Sequence, residues 1–106
     1  MTKFVLTKQA QADIEEISDY ISEKNIKGAI AVGAAIQKTC TLISDMPEIG
    51  HVVKPIGNEL RQIIVSKYPN YAVFYIVTHG TPVIVRVLHG KRNIPTLLHE
   101  WYGSKE

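Results

Sequence analysis

The sequence predicts a single-domain α+β fold, in which a hairpin of two α-helices packs on an antiparallel β-sheet of three to four strands. Two long stretches in the first half have apolar residues at helical spacing. Three runs rich in β-branched and aromatic residues follow in the second half. Only short turns separate these runs, and parallel neighbours would need long crossovers. The 106 residues are therefore expected to form one domain over 1–106.

The first half of the chain contains the predicted helices. Residues 4–6 form a short β-type run, and the hydroxyl of Thr7 is placed to cap the helix that follows. A helix is predicted over residues 8–24, with an apolar stripe that consists of Ala10, Ile14, Ile17 and Ile21. A second helix is predicted over residues 28–46, because Pro47 disfavours the helical conformation of the residue before it. Its expected buried positions are Ala29, Val32, Ala35 or Ile36, Thr39, Leu42 or Ile43, and Met46.

The second half supplies the predicted sheet. A loop is expected over residues 47–57, which include the breakers Gly50, Pro55 and Gly57. Strands are predicted over residues 60–67, 71–78 and 83–89, and a short C-terminal helix over residues 94–102. The first strand is expected to join the sheet edge. Alternation along the last strand puts Val83, Val85, Val87 and His89 on one face, opposite Ile84, Arg86 and Leu88.

Charge and cysteine content limit the compartment and the partners. Residues 1–50 carry five lysines against seven acids, whereas residues 51–106 carry seven cations against three acids. The basic half could face phosphate or an acidic protein segment. Cys40 is the only cysteine, which excludes an intrachain disulfide and suits a reducing compartment. The N-terminus becomes polar too early for a signal peptide, and the longest uncharged apolar run is too short to span a bilayer. A cytoplasmic protein without membrane contact is expected.

The last predicted strand ends in a cluster of basic groups. Arg86 lies within this strand, His89 ends it, and Lys91 and Arg92 follow at once. Metal-free RNA cleavage would suit these residue types, because it needs a general acid or base and cations that stabilise a charged phosphorane. His89 could be the acid or base, with Arg61, Arg86 and Arg92 as phosphate clamps and Tyr71 or Tyr75 as a base-stacking platform. The alternative interpretation is that His89 only ends the strand and the tyrosines are core residues.

No cofactor is predicted. The four histidines are scattered and there is no cysteine pair, so the spacing of a metal site is absent. There is also no glycine-rich loop of the kind that holds a phosphate group.

Several short stretches together resemble one known family. They are Leu6-Thr7-Lys8-Gln9-Ala10-Gln11-Ala12-Asp13-Ile14 with Ile17 and Tyr20-Ile21, Pro47-Glu48-Ile49-Gly50, Leu60-Arg61, Tyr71-Ala72-Val73-Phe74-Tyr75, and Arg86-Val87-Leu88-His89-Gly90-Lys91-Arg92-Asn93-Ile94. In this order they resemble the ParE branch of the RelE/ParE superfamily, the toxins of bacterial type II toxin–antitoxin modules. The resemblance implies a toxin held in a heteromeric complex by a cognate antitoxin, ParD-like or other. It agrees with the fold predicted above.

The resemblance is compatible with two different targets of the toxin. ParE-like members characteristically act on DNA gyrase, whereas RelE-like members are ribosome-dependent mRNA endonucleases. The superfamily's Tyr-Arg-x-x-Tyr form is Tyr71-Ala72-Val73-Phe74-Tyr75 here and lacks the arginine. A non-enzymatic gyrase inhibitor is therefore predicted; the alternatives are an mRNA endonuclease and a module partner that has lost toxicity. The residues expected to bind the target are Arg61, Tyr71, Tyr75, Arg86, His89, Lys91 and Arg92. For a nuclease the catalytic candidates are Arg61, Arg86, His89 and Arg92.

Overall fold

The structure is a computed structural model that describes residues 3–54 and 59–89. Its elements in chain order are β1 (Val5–Leu6), α1 (Lys8–Ser22), α2 (Ile26–Asp45), β2 (His51–Lys54), β3 (Leu60–Ile64), β4 (Tyr71–Thr78) and β5 (Thr81–His89). The five strands form one sheet in the order β1-β5-β4-β3-β2. The C-terminal helix predicted over residues 94–102, and the predicted site residues Lys91 and Arg92, lie outside the described residues.

The predicted helical hairpin is confirmed, and side chains cap both of its helices. The Thr7 hydroxyl accepts a hydrogen bond from the Ala10 N–H at 3.1 Å, as the sequence predicts. The Asn25 side chain accepts one from the Gly28 N–H at 3.0 Å. Because Asn25 is the cap, α2 begins two residues earlier than predicted. It ends just before Pro47, whose ring prevents the helix from continuing.

The sheet is mixed and has one strand more than the prediction allowed. β2, β3, β4 and β5 pair antiparallel in sequence order, as expected. The first strand joins the sheet edge but runs parallel to β5, with Val5 opposite Val83 and Leu6 opposite Ile84. The additional strand is β2, which lies within the predicted loop and pairs with β3. Its four residues are too few to stand out among the surrounding breakers.

The main core lies between the helices and one face of the sheet. Its buried residues are Ala10 of α1, Val32, Ile36, Cys40 and Ile43 of α2, and Val65, Val73, Tyr75, Ile84 and Val87. A second cluster occupies the opposite face of the sheet and consists of Leu60, Ala72, Phe74, Val85 and Leu88. Side chains of β4 alternate between the two clusters, which the sequence predicts.

Strict alternation fails along β5. Ile84 and Val87 both face the helices, whereas Val85 and Leu88 face the second cluster. The pairing register with β4 shifts between Phe74 and Tyr75, so β5 contains one extra residue at this point. Such a bulge changes the face on which every later side chain lies. The predicted grouping of Val87 with Val85 is therefore wrong.

By length and composition alone, α2 is also long and apolar enough to cross a membrane. Core helices of globular proteins pass the same test, and here the buried side of α2 packs in the main core.

Candidate functional site

Arg86 lies within β5 and is bound to a carboxylate of α1. Its Nε donates to Oδ2 of Asp13 at 2.8 Å, and its Nη2 donates to Oδ1 at 2.9 Å. The backbone N–H of Val87 also donates to Oδ2, and the side chain of Gln9 donates to Oδ1. Arg86 is only 9% exposed and Asp13 only 6%. The guanidinium predicted to hold a phosphate or a target thus joins α1 to the sheet.

Asp13 completes this pair and was not among the predicted site residues. It follows Ala10 by three positions and precedes Ile17 by four, so it lies on the buried stripe of α1. A cation within a buried strand needs a partner, because an unpaired buried charge is costly. Together, these two signals could have identified the pair.

Arg61 and Tyr75 are bound to the segment between α2 and β2. Nη1 of Arg61 donates to the carbonyls of Glu48 and Gly50 at 3.1 and 2.8 Å, and Nη2 pairs with Glu59. The Tyr75 hydroxyl donates to the Pro47 carbonyl at 2.7 Å and accepts from the Gly50 N–H at 2.9 Å. The Pro47-Glu48-Ile49-Gly50 motif is therefore held by two side chains of the sheet.

Tyr75 lies inside the molecule. The residue has 0% exposure, and burial raises its pKa, although the Gly50 N–H and the charge of Arg61 act in the opposite direction. A ring in this position presents no surface to a nucleic-acid base or a target protein. Tyr75 is therefore a core residue, as the alternative interpretation of the two tyrosines predicts.

Tyr71 and His89 lie opposite each other at one end of β4 and β5. Their rings meet edge to face, with centroids 5.0 Å apart and planes at 88°. Burial raises the pKa of Tyr71, and the neighbouring Tyr20 raises it further. Both side chains line a cavity of about 300 Å³, here called the α1–sheet groove. Its described lining is Asp13, Glu16, Ile17, Tyr20, Tyr71, Val87, Leu88 and His89.

The structure brings together only part of the predicted site. Tyr71 and His89 share the α1–sheet groove, and Arg86 adjoins it through Asp13. Arg61 belongs to a different region, because its guanidinium binds the segment before β2. Within residues 3–54 and 59–89, no group of three or more His, Cys, Asp or Glu side chains could hold a metal ion.

Comparisons with known proteins define the class of this protein. Residues 4–94 match the family described as the ParE toxin of type II toxin–antitoxin system, parDE. The chain therefore belongs to the ParE toxin family, as its motifs predict. It is a type II toxin of the ParE/RelE superfamily, a class of toxins that have an antitoxin as their partner.

Two individual proteins resemble the chain along most of its length. Toxin RelE2 of Caulobacter vibrioides is 29% identical over 92 residues, which are 87% of this chain and 99% of that toxin. A solved structure titled Chromosomal ParDE TA system from P. aeruginosa matches with a TM-score of 0.66 and 15% identity. The match covers 84% of this chain and 98% of the solved chain, and it shows that the two share a fold.

Proposed function

We propose that this toxin stops growth by inhibiting DNA gyrase in the cytoplasm, without a cofactor and without cleaving RNA. The strongest support comes from the contacts of Arg61 and Arg86, the two arginines among the nuclease candidates that the structure describes. Arg86 is bound to Asp13, and Arg61 is bound to Glu48, Gly50 and Glu59. A phosphate clamp in either position would have to break these contacts first. Arg92, the third arginine candidate, lies outside the described residues.

The charge of the α1–sheet groove also favours a protein target. RNA cleavage at Tyr71 and His89 would bring a phosphate beside Asp13 and Glu16, which line the same groove. Arg86 balances Asp13, whereas α1 as a whole carries four carboxylates against one lysine. Carboxylates repel a nearby phosphate, since like charges close together are unfavourable. A protein target can meet the groove with neutral or basic side chains, which are not repelled.

An mRNA endonuclease is the second candidate function, and two observations favour it. The curated relative described above is named Toxin RelE2, and His89 lines the groove next to Tyr71. In this reading His89 is the general acid or base. Replacing it in a His89→Gln variant would then reduce RNA cleavage by roughly a hundredfold or more.

The deciding experiment uses one preparation of toxin in two assays. Purified toxin is added to gyrase with plasmid DNA, and separately to translating ribosomes with mRNA. We expect trapped, cleaved plasmid DNA and intact mRNA. Cut mRNA with fully active gyrase would replace the proposal with the endonuclease alternative.

Induction in a bacterial host gives an independent check. Gyrase inhibition should produce double-strand breaks and an SOS response, and a gyrase mutation should rescue growth. Translation arrest without DNA damage would contradict the proposal. Normal growth would indicate a partner that binds antitoxin but has lost toxicity.

A further inference from the structure

We propose that the α1–sheet groove binds an arginine side chain of the antitoxin. The proposal uses the membership of this chain in a toxin–antitoxin pair, and it does not depend on which target the toxin attacks. It adds to the function proposed above one contact between the antitoxin and the toxin, through which the antitoxin would help to neutralise the toxin. Three properties of the groove support it: its shape, its charge and its aromatic rings.

The shape of the groove suits one long side chain. It is an open cavity of about 300 Å³ between α1 and the ends of β4 and β5. Half-buried Ile17 supplies apolar contact surface next to the buried Val87, whereas Glu16 and Tyr20 are exposed and His89 is half-buried. An arginine has an apolar stem and a charged planar end, so it can cover such a floor and keep its charge at the rim.

The charge of the groove selects a cation. Asp13 is fully engaged by Arg86, Gln9 and the Val87 N–H, so it contributes little net field. Glu16 lies in the lining, and Glu15 and Asp19 are exposed nearby on α1. Glu16 already has an interaction within the chain, and as the exposed carboxylate that lines the groove it contributes most of the local negative field, to which the other acids of α1 add.

The aromatic rings favour arginine over lysine. Tyr20 is 61% exposed, and the Nζ of Lys24 lies 5.2 Å from its ring centroid, so an incoming cation would compete with Lys24 for this ring. Tyr71 adds a second ring to the lining. A guanidinium stacks on aromatic faces and is more weakly hydrated than an ammonium group. An arginine in the groove would cover Tyr71 and His89, so neutralisation would include direct occlusion of these two residues.

The first test uses a small probe with the full-length toxin. N-acetyl-arginine amide is titrated while the NMR signals of the tyrosine rings are followed, with N-acetyl-citrulline amide as the uncharged analogue of the same shape. We expect saturable shifts of Tyr20 and Tyr71 in the millimolar range, and citrulline binding about tenfold weaker. Equal binding of the two probes, no saturable binding, or shifts confined to other residues would overturn the proposal.

The second test uses the antitoxin itself and a matched pair of variants. Glu16→Gln removes a groove carboxylate, whereas Glu15→Gln removes the adjacent exposed carboxylate, which is not part of the groove lining. The affinity of purified antitoxin for each toxin variant is measured at low and high salt. We expect Glu16→Gln to weaken binding severalfold at low salt and less at high salt, because salt screens the attraction. Glu15→Gln should stay within about twofold of the parent.

A third variant separates the aromatic contribution from folding. Tyr20→Leu keeps an exposed apolar side chain but removes the ring, so it should weaken antitoxin binding without lowering the melting temperature. Antitoxin affinity unchanged in both Glu16→Gln and Tyr20→Leu would refute the proposal. If toxicity fell in these variants while antitoxin affinity stayed constant, the groove would serve the target instead. Antitoxin affinity is measured without gyrase or ribosomes, so failure here leaves the proposed target unaffected.

Discussion

A buried ion pair joins α1 to the sheet. The carboxylate of Asp13 receives two hydrogen bonds from Arg86 and one from the Val87 backbone, next to the bulge in β5. It therefore accepts a hydrogen bond from a backbone N–H of β5 that β1, with only two residues, is too short to reach. Removing one partner from a buried pair leaves the other charge unpaired, which costs far more than the pair itself contributes.

We predict that Asp13→Ala lowers the free energy of unfolding by about 3–5 kcal/mol. Urea unfolding of the purified toxin measures this. The matched control, Asp19→Ala, removes an exposed carboxylate from the same helix and should change the free energy by no more than about 0.5 kcal/mol. The double variant Asp13→Leu with Arg86→Met should recover most of the loss, because no charge is left buried. Equal effects of Asp13→Ala and Asp19→Ala would show that the pair does not stabilise the fold.

The space around Gly50 leaves little room for a side chain. A Cβ atom at this position would lie 2.7 Å from the Tyr75 hydroxyl and 3.0 Å from the Gln62 carbonyl. A Cβ atom at Gly33, in the middle of α2, would meet no atom within 4 Å apart from its chain neighbours and the adjacent helix backbone. The two glycines therefore allow a comparison in which one substitution has opposite effects.

We predict that Gly50→Ala destabilises the protein by about 1–3 kcal/mol, because the new methyl group overpacks against a backbone carbonyl and a buried ring. Gly33→Ala should stabilise it by roughly 0.5–1 kcal/mol, since alanine is the better helix former. Thermal melting of both variants gives the two signs directly. A loss of stability in Gly33→Ala, or none in Gly50→Ala, would contradict this account.

At the scale of elements, the turn from α2 into β2 depends on the sheet below it. The backbone carbonyls of Pro47, Glu48 and Gly50 accept three hydrogen bonds from Tyr75 and Arg61, and the Gly50 N–H donates a fourth to the Tyr75 hydroxyl. These residues come from three separate stretches of the chain that carry the family resemblance. Much of what makes those stretches recognisable is thus explained by folding, without reference to a target.

We predict that Tyr75→Phe destabilises the protein by about 1–3 kcal/mol, because the Gly50 N–H and the Pro47 carbonyl lose their partner in a buried site. The control Tyr20→Phe removes a hydroxyl from a ring that is largely exposed, and its effect should be within about 0.5 kcal/mol. Denaturant unfolding of the two variants provides the measurement. Identical midpoints would exclude a structural role for the Tyr75 hydroxyl.

The elements differ in how far the sequence could predict them. Thr7 is a good cap before a clear apolar stripe, so α1 was found with its start at the right residue. β2 was missed, because four residues between Gly50 and Pro55 give no periodic signal. The bulge in β5 was also missed, since it arises from pairing with β4 and leaves no mark in the local pattern. The predicted faces of β5 were therefore correct only up to Val85.

At the scale of the whole molecule, the two ends of the described chain pack against each other. β1 pairs with β5, and α1 is joined to β5 by the Asp13–Arg86 pair. The sequence could predict the layers, because the helical and strand patterns are distinct. It could not predict that Arg61 and Arg86 lie in different regions, because tertiary structure sets the partners of both side chains.

Cys40 offers a probe of this whole structure. It is buried in the main core, and burial raises the pKa of its thiol from the ordinary 9.0 to about 11. We predict that the thiol of the native toxin reacts at pH 8 only through unfolding, so that urea accelerates labelling steeply. Timed labelling with a thiol reagent, with Cys40→Ala as the blank, measures this. Rapid labelling that does not depend on urea would contradict the structure.

The same shift fixes the sign of a pH effect. A pKa that is raised by folding contributes stability that is fully present below the unfolded value. This contribution is lost as pH rises through the folded value. For Cys40 the loss falls between pH 9.0 and about 11. The parent protein should therefore lose more stability than Cys40→Ala across this interval, and parallel pH profiles would disprove the effect.

The parallel pairing of β1 with β5 has a consequence for biosynthesis. Asp13 leaves the exit tunnel 73 residues before Arg86 does, which at bacterial elongation rates is a delay of about 4–15 s. Throughout that interval the nascent chain lacks β5, which pairs with both β1 and β4, and the cation that pairs with Asp13. Chains released early by a premature stop codon before Arg86 would therefore remain unfolded, so a folded toxin requires translation to continue past β5.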